Sequence, residues 1–244
     1  GIHAVDAVLR KSPTRIRCLY LQAGRQDKRV ASLAELARNQ GVVLERVPKS
    51  KLDELAPGRH QGAVALCQAG AVEAGDNLWS EKQLFALLED APGPVLVLVL
   101  DGVTDPHNLG ACLRSADAAG VAAVVVPKDK SADLTPIVRK VACGAAETVP
   151  FVRVTNLSRT LAGMKERGVW LYGAAGEAEG SLYDCDLTGP VALVMGAEGS
   201  GLRRLTREAC DYLVKLPMAG QVSSLNVSVA TGVCLFEVVR QRGA

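Results

Sequence analysis

The chain has 244 residues, of which 48% are hydrophobic, 4% aromatic and 22% charged, with a formal charge of +2. That length accommodates one large domain or a small domain beside a larger one, and the Val-, Leu- and Ala-rich apolar content suits buried parallel strands covered by helices rather than disorder. No apolar run approaches the roughly 18 residues of a membrane span and the N-terminus lacks a signal-type core, so a cytoplasmic protein is expected.

In chain order, helix is predicted over His3–Arg10, strand over Arg17–Leu21, helix over Lys28–Gln40 with Gly41 as its stop, and strand over Val42–Val47. A short helix over Ser50–Leu55 ends at Pro57-Gly58, and Ala63–Cys67 is a strand. This first module, residues 1–70, carries twelve Lys/Arg against six Asp/Glu, the charge footprint of a nucleic-acid surface. Residues 71–94 read as an acidic linker that includes a helix over Leu78–Glu89 and is stopped by Ala91-Pro92-Gly93-Pro94.

From Val95 to the end, residues 95–244 alternate strand and helix. Strands are expected at Val95–Leu100, Ala122–Val126, Thr148–Val152, Trp170–Ala174, Val191–Met195 and Tyr212–Leu216. Helices are expected at Asn108–Ala119, Leu134–Cys143, Leu157–Arg167, Leu202–Ala209 and Leu225–Arg240. Such alternation argues for a parallel α/β sheet flanked by helices, whose ligands sit at the carboxyl ends of the strands. The seven cysteines, none in a C-x-x-C pair, read as buried reduced thiols. His3, His60 and His107 lack metal-ligand spacing, so no metal site is expected.

Three strand-to-helix segments stand out. In the first, Asp101 to Arg114, Asn108 is a natural N-cap. Arg114 lies in an otherwise small and apolar stretch, where a guanidinium calls for an anionic partner. In the second, Leu193 to Leu202, three glycines let the backbone approach a ligand, and Glu198 suits the dipole of the following helix. In the third, Leu216 to Ala230, Ser223 or Ser224 suits the N-cap, while Asn226 and Ser228 fall in the first turns of an apolar helix and need partners. None of the three is a G-x-x-x-x-G-K-[ST] phosphate loop or a G-x-G-x-x-G turn.

Taken together the segments resemble the three motifs of the SpoU family of the SPOUT methyltransferase superfamily. Asn108, Gly110 and Arg114 meet N-x-G-x-x-x-R. Gly196, Glu198, Gly201 and Leu202 meet G-x-E-x-x-G-L. Pro217, Met218, Gly220, Ser224, Leu225, Asn226, Val227, Ser228 and Ala230 meet the third pattern, P-M-x-G-x-x-x-S-L-N-V-S-x-A. The resemblance covers residues 95–244, and residues 1–70 are similar to the family's N-terminal RNA-binding extension, which has a ribosomal-protein-like α/β fold.

The resemblance implies a trefoil-knotted parallel sheet, a homodimer with a shared active site, and S-adenosylmethionine as cofactor. It implies 2′-O-methylation of a guanosine ribose in 23S ribosomal RNA or a large-subunit precursor. By the same resemblance Gly196, Leu216, Met218, Ser224 and Leu225, and less directly Ala174, would contact the cofactor, while Arg114, Asn108, Glu198 and Asn226 would carry catalysis. Arg203, Arg204 and Arg207, beside the glycine loop, would join the first module in gripping RNA. A transfer-RNA ribose methyltransferase and a non-catalytic RNA-binding or assembly protein are the alternatives.

Overall fold

The computed structural model describes residues 1–25, 27–57, 60–67 and 77–243, and the chain divides into two compact units. The first is Gly1–Asn77 with Cys143–Thr148. It begins with α1 (Ile2–Lys11), β1 (Ile16–Gln22), α2 (Lys28–Asn39), β2 (Leu44–Val47), α3 (Lys49–Leu55) and β3 (Ala63–Cys67). Asp27 caps α2 by accepting the Val30 N–H at 3.3 Å. β1 is the central strand, parallel to β2 and antiparallel to β3. Its Leu19 and Leu21 are fully buried beneath Leu9, Val30 and Leu33, which is why the periodicities of this stretch alternate between helix and strand.

The second unit is Leu78–Ala142 with Val149–Ala244. Its first elements are β4 (Leu78–Trp79), α4 (Glu81–Asp90), β5 (Leu96–Asp101), α5 (Pro106–Ala118), β6 (Ala123–Pro127) and α6 (Pro136–Val141). A helical turn, α7 (Ala145–Thr148), belongs to the first unit. Then follow β7 (Phe151–Val154), α8 (Leu157–Lys165), β8 (Trp170–Ala174), β9 (Gly180–Ser181), β10 (Val191–Gly196), α9 (Arg204–Ala209), β11 (Tyr212–Lys215) and α10 (Val227–Gln241). The strands form one sheet in the order β4-β7-β6-β5-β10-β8-β11-β9, parallel throughout. β5 and β6 are buried along their whole length, as strands covered on both faces must be. One face packs on Leu84, Leu88, Leu157, Leu161 and Met164 of α4 and α8. α10 lies on β10 and against α5.

Several predicted elements shift. Of the linker expected over 71–94, residues 71–76 lie outside the described residues, and Gly58 of the Pro57-Gly58 stop does too. Leu78–Asp90 instead supplies an edge strand and a packed helix. The sequence Ser80-Glu81-Lys82-Gln83 fixes that boundary, since Ser80 Oγ accepts the Gln83 N–H at 3.3 Å while Gln83 accepts the Ser80 N–H at 2.9 Å, a capping box. Strand begins at Phe151 rather than Thr148. Among the described residues no helix is long and apolar enough to cross a membrane.

Candidate active site

A parallel sheet gathers the carboxyl ends of its strands at one edge. β5 and β10 are neighbours there, with Gly196 opposite Asp101. The loop leaving β10 folds straight back on itself: Ala197 N–H donates to the Gly201 carbonyl at 3.1 Å and Gly201 N–H to the Ala197 carbonyl at 2.9 Å. A Cβ at Gly196 would stand 2.2 Å from the Gly201 carbonyl carbon, so only glycine fits this approach. Asp101, buried at the end of β5, anchors the far side of the loop by accepting the Arg203 N–H at 3.0 Å and its Nε–H at 2.6 Å.

Asn108, Glu198 and Asn226, ninety or more residues apart for two of the three pairs, close into a triangle. Asn108 Nδ2 donates to Glu198 Oε1 at 2.9 Å, and Asn226 Nδ2 donates to the same oxygen at 2.7 Å and to Asn108 Oδ1 at 3.1 Å. The capping roles expected for this region move elsewhere. Asp105, not Asn108, caps α5 by accepting the His107 N–H at 2.9 Å. Glu198 caps nothing, because α9 starts only at Arg204. Asn226 itself, rather than Ser223 or Ser224, caps α10, its Oδ1 accepting the Ser228 N–H at 2.9 Å and the Ser228 Oγ–H at 2.6 Å. Both amides therefore use their NH2 groups to aim one carboxylate, a charge-assisted arrangement.

Beside the triangle opens a cleft of about 580 Å³. All six residues expected at the cofactor, Ala174, Gly196, Leu216, Met218, Ser224 and Leu225, line it, together with Glu198 and Asn226. Val227, Ala230 and Cys234 of α10 form an apolar wall, where burial pushes the Cys234 thiol up to about 12. Gly110 explains the other fixed point of the first motif. A Cβ there would meet the Val141 side chain at 2.6 Å and the Val138 carbonyl at 2.9 Å, so it is close packing of α5 on α6 that demands glycine.

Arg114 is not brought to this cleft. It is exposed on α5 and does not line the cleft. The three arginines beside the glycine loop are each held by a carboxylate, Arg203 by Asp101, Arg204 by Glu208 at 2.7 Å and Arg207 by Glu177. Of these only Arg207 and its partner Glu177 line the cleft. Sequence reasoning missed Asp101 and Glu177. Asp101 had a signal, a lone carboxylate closing a run of six apolar residues from Val95, whereas nothing in the sequence ties Glu177 to Arg207.

Comparison with known proteins agrees with this geometry. Residues 95–236 match the SpoU rRNA methylase family, and residues 1–71 match a family described as RNA 2′-O ribose methyltransferase substrate binding. A protein of Pseudomonas syringae named 23S rRNA (guanosine-2′-O-)-methyltransferase RlmB is 60% identical over 100% of this chain and 95% of its own. Its namesake in Escherichia coli is 55% identical over 99% of this chain and 97% of its own. Among solved structures, the SpoU methyltransferase AviRb from Streptomyces viridochromogenes, in complex with AdoMet, aligns with a TM-score of 0.76 at 27% identity, covering 99% of this chain and 88% of that one. With two motif loops lining one cleft, the first motif bonded to both through Asn108, and a family match spanning more than half its length, the chain belongs to the SpoU rRNA methylase family.

Proposed function

We propose that this protein methylates the 2′-oxygen of a guanosine ribose in 23S ribosomal RNA, with S-adenosylmethionine as methyl donor and the cytoplasm as its place of action. The observation that carries the reading is the cleft, which joins a donor-sized cavity to the Asn108–Glu198–Asn226 triangle; identity of 60% to a named enzyme of that specificity supplies the substrate.

The residues fit the cofactor. The cleft's volume lies in the range of small-molecule sites, roughly 300–1,000 Å³. Its walls are the glycine-rich segment Gly196 to Leu202 on one side and Leu216, Met218, Leu225 and α10 on the others, suited to an adenosine with polar contacts through main-chain groups. When bound, S-adenosylmethionine supplies an electrophilic methyl group on its sulfonium. Glu198, fixed through one oxygen by two amides, positions the ribose at the cleft mouth, and orientation alone contributes much of such a rate. Arg114 acts as a cation on the developing alkoxide or its phosphate. It is not the base, because a guanidinium scarcely gives up its proton in a protein.

Arg114 would reach this chemistry from a second copy of the chain. Support comes from its exposure on α5 and from Val229 and Phe236, 52% and 49% exposed on the neighbouring α10: an apolar stripe next to an unburied arginine suits a two-fold interface. The knotted path belongs to the same proposal. β11 sits beyond β8 from β10, so the β10–β11 connection crosses β8. Gln241 and Arg242, closing α10, bond the Cys185, Leu187 and Gly189 carbonyls of the β9–β10 connection. Threading of a chain end through such a connection is what ordinary folds avoid.

The domain division follows: residues 1–70 bind RNA and residues 95–244 hold the donor and the catalytic groups. Incubation of the protein and labelled donor with 23S RNA lacking the modification tests the proposal, with mapping of the resulting nuclease-resistant linkage. One methylated guanosine ribose is the expected product; transfer only to transfer RNA, or to neither, overturns it.

A further inference from the structure

Three loops meet at the carboxyl edge where β6, β5 and β10 lie side by side. Two carry the motifs of the site. The third, residues 128–135 after β6, has no role so far, yet it is built onto the first. Ala132 N–H donates to the Val103 carbonyl at 2.8 Å and Ser131 Oγ–H to the same oxygen at 3.4 Å. At the preceding residue, Gly102, an added Cβ would stand 3.7 Å from the Lys130 carbonyl oxygen and 3.6 Å from the Ala197 Cβ. The backbone of Lys130 and the residue just before Glu198 thus flank one point.

Lys130 holds a φ of 57°, in the left-handed region that a lysine occupies only at a cost. Such a conformation persists where the surroundings over-determine it and tends to mark a working residue. Lys128 and Lys130 are both exposed, and among the described residues neither takes part in an ion pair. Asp129 between them leaves the tripeptide at a net charge of +1. Arg203, Arg204 and Arg207, across the same edge, already face carboxylates. A phosphate arriving there must compete with those partners, whereas at Lys128 and Lys130 it meets uncommitted charge.

We infer that Lys130, with Lys128 beside it, binds an RNA backbone phosphate flanking the ribose to be methylated. The inference rests on the RNA-methylation reading above and adds to it the loop after β6 as a phosphate-binding subsite. Being a point-charge contact, it holds the strand in register without reading its sequence.

The test uses the full chain, a transcribed 23S RNA fragment spanning the target and an unrelated RNA of equal length. Lys130→Gly removes the charge and relieves the left-handed backbone, so the fold is kept. Its binding to both RNAs should weaken by about 3- to 10-fold, and the slope of log affinity against log salt should fall by roughly 0.7–0.9. Lys128→Ala in addition should lower the slope about as much again. Lys130→Arg should bind as the parent does, and donor affinity should stay constant throughout. An unchanged salt slope in Lys130→Gly overturns the inference whether or not affinity drops. Absence of methyl transfer by the parent, with the slope change present, instead strikes the activity and leaves the subsite standing.

Discussion

Asp101 and Arg203, 102 residues apart, tie the end of β5 to the far side of the glycine loop: the buried carboxylate takes both the backbone N–H and the guanidinium of Arg203. Removing the guanidinium by Arg203→Ala leaves Asp101 with a backbone donor and no counter-charge, and breaking a buried pair costs about 3–5 kcal/mol. The Arg203 side chain is 46% exposed, so water screens the pair and a loss of about 2 kcal/mol is expected in urea denaturation. Asp101→Asn combined with Arg203→Ala should cost less than the sum of the two single changes. Additive losses would mean the two groups do not act as a pair.

The triangle makes a sharper prediction. Asn108→Asp replaces a donor by a carboxylate oxygen at the 2.9 Å contact with Glu198, and two like charges at that distance repel and push Glu198 out of place. Misplacing Glu198 should lower turnover on the order of 100-fold near neutral pH. Protonation of one carboxyl restores a donor. The ratio of variant to parent turnover should therefore climb as the buffer goes from about pH 8 to about pH 5. A ratio independent of pH would show that Asn108 does not orient Glu198.

How far these arrangements were legible in the sequence depends on their range. β5, β6, β10 and α2 announce themselves, because continuous apolar runs and 3.6-residue spacing are local consequences of burial. β4 and β9, with two residues each, carry no periodicity to detect. Five of the six cofactor candidates lie in the second and third motif-bearing segments and line the cleft, and Ala174, at the end of β8 outside the motifs, lines it too. The N-cap roles expected for Asn108 and for Ser223 or Ser224 fall to other residues, because a polar residue at a helix start satisfies N-cap chemistry from several positions, and here Asp105 and Asn226 take it. The Asp101–Arg203 and Glu177–Arg207 pairs are set by which strand ends the topology makes neighbours. No local pattern holds that information.

Gly196 separates steric fit from backbone freedom. Gly196→Ala drives a Cβ to 2.2 Å and 2.4 Å from the backbone of Gly201 and Leu202, atoms that cannot yield without opening the turn. Donor binding by titration calorimetry should be lost. Gly199→Ala offers the contrast, with φ +77° and nothing within 4 Å of the new Cβ. It should cost about 1–2 kcal/mol of stability for its left-handed backbone and leave donor binding measurable. Equal binding by both variants would remove the close-approach argument.

Acid should loosen the end of α10 in a defined window. Glu237 accepts from Arg240 Nε at 2.8 Å, from a second Arg240 nitrogen at 2.7 Å and from Gln241 at 2.8 Å. With the Arg240 bonds as the main cause, its carboxyl falls from 4.5 to about 2. A depressed carboxylate stabilises the fold fully above its unfolded value and loses that contribution as pH drops through its folded one. The Tm difference between the parent and Glu237→Gln should thus be constant above about pH 5 and shrink from there towards about pH 2. Gln241 links this carboxylate to the Cys185 carbonyl and the Leu187 N–H, so the protection of the amides of residues 185–187, relative to their intrinsic exchange rates at each pH, should fall over the same range.

Arg114 decides whether the site belongs to one chain or two. It follows Asn108 by six residues on α5, which turns it about 120° away from Asn108 and sets it about 9 Å along the axis, consistent with its place outside the cleft. Arg114→Ala should retain donor affinity and lose turnover by about 100-fold or more, and Arg114→Lys should not restore it, because a point charge lacks the planar fork. If the arginine serves a second subunit's cleft, neither Arg114→Ala nor Glu198→Ala is active alone, yet a mixed dimer of the two has one site with both residues intact. Subunit exchange at equal amounts should then recover about a quarter of parent turnover, since half the dimers are mixed and each has one good site. If each chain serves its own cleft, every site in the mixture lacks one residue and mixing recovers nothing. The size of the recovery therefore measures the sharing directly.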